Sequence, residues 1–341
     1  MDLFESLKSK ISGKGIKIVF PEATDPRVLG AVNRLRAEGH IIPVLVGNKE
    51  QIAANFQDTG IVSEGYESYD PKNCGRTELF VEELVKIRKG KVTPEQAREL
   101  LLDENYFGIM LVQMGIADGF VSGAIHSTAD TVRPALQIIK TKPGISRTSG
   151  AFLLLRGRDQ ERYIFSDCAI NIEPDAQALA DIAIASAETA ELFDIDPKVA
   201  MLSFSTKGSG KSPDVDKVVE ATKLAQEARP DLALDGEFQF DAAYDSNVGA
   251  LKAPGSEVAG KATVFVFPDL QSGNIGYKIA QRLGNFDAVG PILQGLNKPV
   301  SDLSRGCNEE EVYKLALITA AQAIDNKLAE AAAADETAGN E

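Results

Sequence analysis

The chain has 341 residues, of which 44% are hydrophobic and 25% charged, and its formal net charge is -14. This length and composition predict a globular protein of two domains. The negative charge and the lack of Lys/Arg clusters disfavour nonspecific nucleic-acid binding, so we expect no nucleic-acid partner. The N-terminus has no signal-peptide pattern and no apolar run is long enough for a membrane span, so we expect a cytoplasmic protein.

Apolar strands alternate with helical patterns through the first half of the chain. Three stretches predict strands: 16–20, 41–47 and 119–123. The helix after the first strand has apolar residues at helical spacing, namely Val28, Leu29, Val32 and Leu35. Another helix is expected to begin near Thr128. This alternation favours an α/β fold whose mostly parallel sheets carry helices on both faces.

The second half begins with a predicted β-hairpin over residues 151–167. Further strands are predicted at 199–204 and 262–270, and helices at 175–193, from 213, from near Gly273 and at 308–331. The acidic tail, 332–341, is expected to fray. We therefore predict two α/β domains, the second inserted into the first. Residues 1–150 with 290–331 form the N-terminal domain, closed by the last helix, and residues 151–289 form the inserted domain.

Cysteine and histidine are scarce, which limits the possible chemistry. Cys74, Cys168 and Cys307 have neither metal-ligand nor disulfide spacing, which is typical of a reducing compartment. His40 and His126 are the only histidines. We therefore expect no catalytic triad and no multi-histidine metal site, and catalysis that depends on Ser, Cys, Arg, Lys or carboxylate side chains.

Three polar loops follow predicted strands, where α/β sheets bind ligands. The first combines small hydroxyls with expected free backbone N–H groups at a helix start, and Arg133 follows one turn on. The other two loops are rich in Ser, Gly and Lys or Asn but match neither a Walker A loop nor a dinucleotide fingerprint. Helix capping, a solvated loop and close helix packing are the structural alternatives. The candidate residues are Ser122, Ser127, Thr128, Ser205, Thr206, Lys207, Gly273 and Asn274.

The stretch SDLSRGCNEEEV (301–312) carries the strongest local pattern. Asn308 and Glu311 are spaced as a capping box at a helix start. Ser304 and Arg305, presented together before that helix, could stabilise an oxyanion, and a carboxylate one turn on could act as a general base. Local chemistry leaves both interpretations open.

Several segments together resemble the phosphate acetyltransferase (phosphotransacetylase) family. They are FPEATDPRVL, SGAIHSTADTVRPALQ, SDCAIN, SFSTKGS, FPDLQSGNIGYK and GPILQGLNKPVSDLSRGC, and they span nearly the whole chain. The resemblance implies reversible acetyl transfer between coenzyme A (CoA) and inorganic phosphate, in a cleft between two α/β domains. It also implies a homodimer that acts in acetate metabolism on CoA, acetyl phosphate and phosphate, without a metal or a tightly bound cofactor.

The same resemblance implies roles for individual residues. Ser304 and Arg305 would stabilise the tetrahedral transition state. Glu311 would take the CoA thiol proton at a position where the family has Asp, with Glu310 or Asp302 as alternatives. Further implied binding residues for phosphate or CoA are Arg88 and Arg133, and phosphate would leave into a pocket formed by 122–128, 205–207 and Arg133. Cys168 and Cys307 are interpreted as packed side chains.

Four alternatives remain from sequence. A phosphate butyryltransferase would share fold and chemistry with a larger acyl pocket. A catalytically silent binding module of the same fold would tolerate Glu at position 311. A related metal-dependent decarboxylating dehydrogenase would need an Asp cluster and a nucleotide loop, which the sequence lacks. Within the main hypothesis, direct attack in a ternary complex is favoured over an acyl-Ser304 intermediate, because no base stands evidently beside that hydroxyl.

Overall fold

The computed structural model describes residues 3–60, 65–157 and 161–338. Its helices are α1 (Leu3–Ile11), α2 (Pro26–Ala37), α3 (Lys49–Thr59), α4 (Thr77–Ile87), α5 (Pro94–Leu100), α6 (Glu104–Gln113), α7 (Thr128–Ile138), α8 (Ala176–Leu192), α9 (Pro213–Ala228), α10 (Phe240–Tyr244), α11 (Ser246–Lys252), α12 (Leu270–Arg282) and α13 (Glu309–Ala338). Its strands are β1 (Lys17–Phe20), β2 (Ile42–Val46), β3 (Glu67–Tyr69), β4 (Gly119–Ser122), β5 (Ser149–Arg156), β6 (Glu161–Ser166), β7 (Lys198–Leu202), β8 (Ala233–Phe238), β9 (Val264–Val266), β10 (Asp287–Gln294) and β11 (Val300–Asp302).

The chain divides into two compact units. Unit 1 comprises residues 3–140 and the chain from Leu296 onward, and unit 2 comprises residues 141–295. The α/β class with mostly parallel strands is confirmed. The domain boundaries predicted near residues 150 and 290 stay a prediction.

Unit 1 has a parallel sheet in the order β3-β2-β1-β4-β11. Successive residues of β4 show that helices cover both faces, because neighbours on a strand point to opposite sides. A Cβ added at Gly119 would lie 2.8 Å from Thr319 of α13, whereas Phe120 packs against Gly108 of α6. The predicted two-sided arrangement is therefore confirmed for this unit.

The parallel register brings three loops of unit 1 to one sheet edge. Val19 pairs with Phe120, and Ser122 pairs with Asp302, so β1, β4 and β11 end side by side. The chain leaves these strands into residues 21–25, 123–127 and 303–308. Segments far apart in sequence thus share the edge where α/β sheets bind ligands.

Unit 2 has a mixed sheet in the order β10-β5-β6-β9-β7-β8. β5 runs antiparallel to both β6 and β10, and the remaining pairs are parallel. The predicted hairpin is confirmed for its two strands, while its turn at 158–160 lies outside the described residues. In the core of this unit, Phe165 packs edge-on against Phe265 and at a tilt against Phe267.

Most predicted helices begin within a few residues of their observed starts. Pro26–Ala37, Thr128–Ile138, Ala176–Leu192 and Pro213–Ala228 are all observed. Four strands were missed, namely β3, β8, β10 and β11. The stretch that contains β10 and β11 is broken by Gly, Pro and Asn residues. The last helix runs to Ala338 rather than to 331. Of the predicted tail, residues 339–341 lie outside the described part, and fraying stays a prediction.

No helix within 3–60, 65–157 or 161–338 combines the length and the apolar character that a membrane crossing requires.

Candidate active site

Glu22 is the buried anion of the unit 1 sheet edge. It follows β1, its residue is only 2% exposed, and its carboxylate accepts four consecutive backbone N–H groups. Oε2 accepts from Gly123 at 3.1 Å and from Ala124 at 2.8 Å, and Oε1 accepts from Ile125 at 2.8 Å and from His126 at 2.9 Å. The loop after β4 is therefore wrapped around a carboxylate of the protein itself.

A fifth hydrogen bond to Glu22 comes from the imidazole of His126, whose Nδ1 lies 2.9 Å from Oε1. Burial raises the pKa of Glu22, but the His126 side chain and the loop N–H groups outweigh burial and hold that pKa below its usual value. In return, the hydrogen bond to Glu22 raises the pKa of His126, and burial offsets this only in part. The pair thus favours an ionised carboxylate beside a basic imidazole.

Arg27, in the first turn of α2, ties this loop to the turn that contains Ser304. One terminal nitrogen donates to the carbonyls of Arg305 at 3.0 Å and Cys307 at 2.8 Å. The other donates to the carbonyl of Ala124 at 2.9 Å and to Asp25, which also accepts from Nε. All five guanidinium N–H groups can be used in this way, so one side chain fixes three segments.

Ser304 and Arg305 lie exposed on the turn that Arg27 fixes. The hydroxyl oxygen of Ser304 accepts the N–H of Gly306 at 3.2 Å, and Cys307 N–H closes the turn on the Ser304 carbonyl at 2.9 Å. Among the described residues, the Arg305 guanidinium has no hydrogen-bond or ion-pair partner. The turn therefore holds its backbone rigidly and leaves a cation exposed.

Glu311 lies at the start of α13, where the predicted capping box is confirmed. Its carboxylate accepts the Asn308 N–H at 2.9 Å, and its own N–H donates to the Asn308 side chain at 2.9 Å. Glu310 pairs instead with Arg34 of α2. The predicted role of Glu311 as a base stays a prediction. In the described contacts, its carboxylate caps the start of α13.

Asp302 is a second buried carboxyl group, two residues before Ser304 and 1% exposed. Its Oδ2 accepts the Thr128 hydroxyl at 2.6 Å, while Oδ1 has no partner within the described chain. Oδ1 lies against Gly123, where an added Cβ would be 2.6 Å away. Burial raises the pKa of Asp302 to about 6, and the Thr128 hydrogen bond offsets this only in part.

In the predicted phosphate-binding loop, 122–128, the expectation of free backbone N–H groups is wrong. Its N–H groups from 123 to 126 are not free, because Glu22 accepts all four. The Ser122 hydroxyl is buried and donates to Asn105 at 2.8 Å, and Ser127 caps α7 through Asp130. Phosphate binding by these side chains stays a prediction, and their described contacts position the loop.

Arg88 and Arg133 are brought to one neighbourhood although they belong to different helices. Both cations lower the pKa of the Tyr106 phenol, although burial outweighs them and raises it. Arg133 is exposed and has no hydrogen-bond or ion-pair partner in the described ranges, and the half-buried Arg88 has an unpartnered Nε. This arrangement suits an anion, since Arg pairs well with phosphate oxygens.

Comparison with known proteins identifies the family of this chain. Residues 2–320 match the family model described as phosphate acetyl/butaryl transferase. The chain belongs to this family. A phosphate acetyltransferase of Bacillus subtilis (strain 168) is 61% identical over 323 residues, which cover 95% of this chain and 99% of that protein.

Solved structures agree with the family assignment. A phosphotransacetylase from Streptococcus pyogenes has 63% identity and a TM-score of 0.92, covering 95% of this chain and 98% of its own. A branched-chain phosphotransacylase from Enterococcus faecalis has 18% identity and a TM-score of 0.65, covering 90% of this chain and 99% of its own, so it shares the fold.

In this family member, the predicted binding residues of unit 2 all contact other protein groups. The buried Ser205 donates to Glu237 at 2.7 Å, and Lys207 donates to the Gly236 carbonyl at 2.7 Å. Thr206 accepts the N–H of Gln239 at 2.9 Å. Their substrate roles stay predictions.

Gly273 and Asn274 lie at the start of α12, where that helix approaches the loop after β6. A Cβ at Gly273 would be 2.3 Å from the Asp167 carbonyl, and Asn274 donates to the Cys168 carbonyl at 3.1 Å. Close backbone packing thus accounts for the glycine. The interpretation of Cys168 and Cys307 as packed thiols is confirmed, since they are 0% and 6% exposed and burial raises both pKa values.

Glu22, Asp25 and Arg27 were not among the site residues predicted from the sequence, although all three lie in the FPEATDPRVL segment. Glu22 and His126 are 104 residues apart, and Arg27 and Cys307 are 280 apart, so no local pattern connects them. The available signal was their position directly after β1, at the carboxyl end of a parallel strand.

Replacing Arg27 by Lys tests its role as a positioning residue. Lysine keeps a charge near Asp25 but cannot span the carbonyls of Ala124, Arg305 and Cys307. We expect acetyl-transfer kcat to fall about 10- to 100-fold, because small displacements of reacting groups cost that much. The KM for CoA should change less than about threefold.

The matched control is Arg34→Lys on the same helix, since Arg34 pairs with Glu38 and Glu310 rather than with the turn. It should stay within about twofold of wild-type kcat. Wild-type turnover in Arg27→Lys would contradict the positioning role.

Asp302→Asn tests whether this carboxyl group is buried with a raised pKa. The pKa of Asp302 in the folded protein lies above the usual value for Asp. The protonated Asp302 therefore makes its full contribution to the free energy of unfolding below about pH 4, and this contribution is lost as pH rises through about 6. Above pH 7 the loss is at most about 3 kcal/mol. We therefore expect the Tm difference, variant minus wild type, to increase between pH 4.5 and pH 7.5. A pH-independent difference in thermal unfolding would contradict this.

Proposed function

We propose that this family member is a phosphate acetyltransferase, which converts acetyl-CoA and phosphate reversibly to acetyl phosphate and CoA. The full-length similarity to proteins named phosphate acetyltransferase supports this reaction class. The single observation in the molecule that carries the proposal is the Ser304–Arg305 turn. Its backbone is fixed by Arg27, and its guanidinium is exposed and unpaired among the described groups.

Acetyl transfer requires a site that stabilises the negative charge on the carbonyl oxygen in the transition state. In the direction of CoA acetylation, the CoA thiolate attacks the carbonyl carbon of acetyl phosphate. A C–S bond forms, the C–O bond to phosphate breaks, and phosphate leaves with the bonding pair. The Ser304 hydroxyl and the Arg305 cation stabilise the negative charge that develops on the carbonyl oxygen. Both side chains are exposed, so a substrate can reach them.

Anionic substrates are bound in this proposal by arginine side chains. Arg133 and Arg88 lie near Tyr106, where they can pair with phosphate oxygens of acetyl phosphate or CoA. The loop 122–128 offers no free N–H group at Ala124, because that N–H donates to Glu22. The contacts of the loop with Glu22 and Asp302 instead fix its position beside the substrate site. A contribution from Ser205, Thr206 and Lys207, and a cleft between domains, remain part of the proposal.

The proton acceptor for the thiol was predicted to be Glu311. A base at this position must first release the Asn308 N–H, which its carboxylate accepts at 2.9 Å. Glu311→Gln is an informative variant, because Gln also closes a capping box and so preserves the helix start.

The proposed setting is a cytoplasmic homodimer in acetate metabolism, with CoA as a substrate and no tightly bound cofactor or metal. Free thiols at Cys74, Cys168 and Cys307 support a reducing compartment. A row of exposed apolar residues on and after α12 supports a dimer: Ile275 is 57%, Ile279 52% and Leu283 80% exposed. Contiguous exposed apolar surface of this kind is typical of interaction sites.

Acyl transfer from acetyl phosphate to CoA is the experiment that tests the function. We expect thioester formation with acetyl phosphate at a higher kcat/KM than with butyryl phosphate. Arg305→Gln should lower kcat by about 100- to 1,000-fold, the cost of removing one oxyanion donor. The Arg305 side chain is exposed and makes no hydrogen bond or ion pair with described protein groups, so the fold should persist.

Two results would redirect the proposal. A preference for butyryl phosphate would favour a phosphate butyryltransferase, and no transfer from either compound would favour a silent binding module. Near-wild-type kcat in Arg305→Gln would contradict the oxyanion role while keeping the reaction.

Sedimentation equilibrium of wild type and Ile279→Glu tests the dimer. A buried charge at an apolar interface is costly, so the variant should be monomeric where wild type is dimeric. Lys223→Glu, an exposed change on α9, is the control and should remain dimeric. A monomeric wild type at micromolar concentration would contradict the proposed dimer.

A further inference from the structure

The backbone of Ala124 connects a buried carboxylate to the turn before α13. The Ala124 N–H donates to Oε2 of Glu22 at 2.8 Å, and the Ala124 carbonyl accepts from the Arg27 guanidinium at 2.9 Å. The same guanidinium donates to the carbonyls of Arg305 at 3.0 Å and Cys307 at 2.8 Å. A continuous series of hydrogen bonds therefore runs from Glu22 to the backbone of that turn.

A direct contact also joins this loop to the residue before Ser304. Leu303 donates its N–H to the carbonyl of Ser122 at 2.7 Å. A Cβ added at Gly123, whose φ is +72° to +116° apart from ordinary strand values at +116°, would lie 2.5 Å from the Leu303 carbonyl oxygen. Because no side chain separates the two backbones there, a shift of the loop at Gly123 displaces Leu303 and, with it, Ser304.

The conformation of the loop depends on an internal anion. Four consecutive N–H groups, from residue 123 to residue 126, point to the carboxylate of Glu22, whose side chain is 1% exposed. Donors removed from water are costly without an acceptor, so these groups keep their common direction only while an acceptor lies between them. Glu22 is too deeply buried to touch a substrate, so any effect on acetyl transfer passes through the loop.

We propose that Glu22 is a positioning residue for acetyl transfer. As an internal anion, it holds residues 123–126 in the conformation that fixes Ser304 and Arg305 for catalysis. This inference rests on the proposed function. It assigns Glu22 no contact with substrate and leaves the predicted base role with Glu311.

Both oxygens of the Glu22 carboxylate are used, and so is its charge. Oε2 accepts two of the four backbone N–H groups, and Oε1 accepts the other two. The amide NH2 of a glutamine would therefore face two donors in either orientation. Hydrogen bonds to an ionised acceptor are also stronger than those to a neutral one. Glu22→Gln thus keeps the size of the side chain but removes the acceptor that the loop requires.

The first test measures Glu22→Gln in CoA acetylation. We expect kcat to fall about 10- to 100-fold, because small displacements of reacting groups cost that much. The KM values for acetyl phosphate and CoA should change less than about threefold, since Glu22 contacts no substrate. The matched control is Asp118→Asn at the amino ends of β1 and β4, where Asp118 accepts the Lys17 N–H at 2.8 Å. It should stay within about twofold of wild-type kcat.

Chemical rescue separates loss of the anion from loss of the fold. Glu22→Ala removes the carboxylate and leaves room for formate beside the N–H groups of residues 123–126. We expect saturating formate to raise kcat of Glu22→Ala at least about fivefold, through charge-assisted hydrogen bonds to the loop. Formamide has nearly the same size but no charge, so it should leave kcat unchanged. Wild type in the same solutions corrects for ionic strength and for formate bound to substrate-binding arginines.

Hydrogen exchange of the full chain, followed by nuclear magnetic resonance, tests the coupling without depending on the proposed function. In Glu22→Gln we expect faster exchange at residues 123–126 and also at the amides of Leu303 and Cys307, relative to wild type and Asp118→Asn. Unchanged exchange at Leu303 and Cys307 would contradict the coupling, even where the loop itself exchanges faster.

Three kinetic results would also overturn the proposal. One is Glu22→Gln with kcat within about threefold of wild type. Another is a raised KM with unchanged kcat, which would make Glu22 part of substrate binding. The third is a folded Glu22→Ala that formate does not reactivate, and Glu22→Gln carries the test if Glu22→Ala does not fold. Wild type without any acetyl transfer would instead refute the proposed function and leave the exchange result valid.

Discussion

A carboxylate removed from water needs hydrogen-bond donors, and Glu22 obtains five of them from one short loop. This single requirement fixes the path of residues 123–126 and the orientation of the imidazole. Arg27 then joins the same loop to the turn before α13, because its guanidinium donates hydrogen bonds to one carbonyl of the loop and two carbonyls of the turn. The turn that carries Arg305 is therefore hydrogen-bonded, through Arg27, to the same loop that surrounds Glu22.

Unit 2 repeats this use of internal acids. Asp167 accepts N–H groups of four residues, namely Gly150, Ala169, Ile170 and Asn171. Glu237 accepts the N–H of Gly208 in the loop after β7. Loops that resemble phosphate cradles by composition thus already contain an anion. In a chain with a net charge of -14, substrate anions must depend on arginines left without protein partners, of which Arg133 and Arg305 are examples among the described residues.

How much the sequence predicts depends on the separation of the interacting residues. The helix with Val28 and Leu35 and the capping box at Asn308 follow from patterns within a few residues, and both are observed. The pairing of Glu22 with His126 requires two loops after different strands to meet, which no local pattern encodes. The scarcity of histidine led to the expectation that histidine would take no part in catalysis. That expectation stays a prediction, and a residue count alone does not show that His126 lies against a buried carboxylate.

Glu22 and Asp302 show how one loop gives two acids opposite protonation behaviour. Both are buried and both contact residues 123–128, but Glu22 accepts five hydrogen bonds and Asp302 accepts one at Oδ2. The number of donors therefore decides the outcome: the pKa of Glu22 is lowered and that of Asp302 is raised to about 6. An ionised Glu22 orients the His126 imidazole, whereas Asp302 gives up its negative charge only as the pH falls through about 6. The same loop therefore keeps one buried carboxylate ionised and leaves the other to titrate at a higher pH.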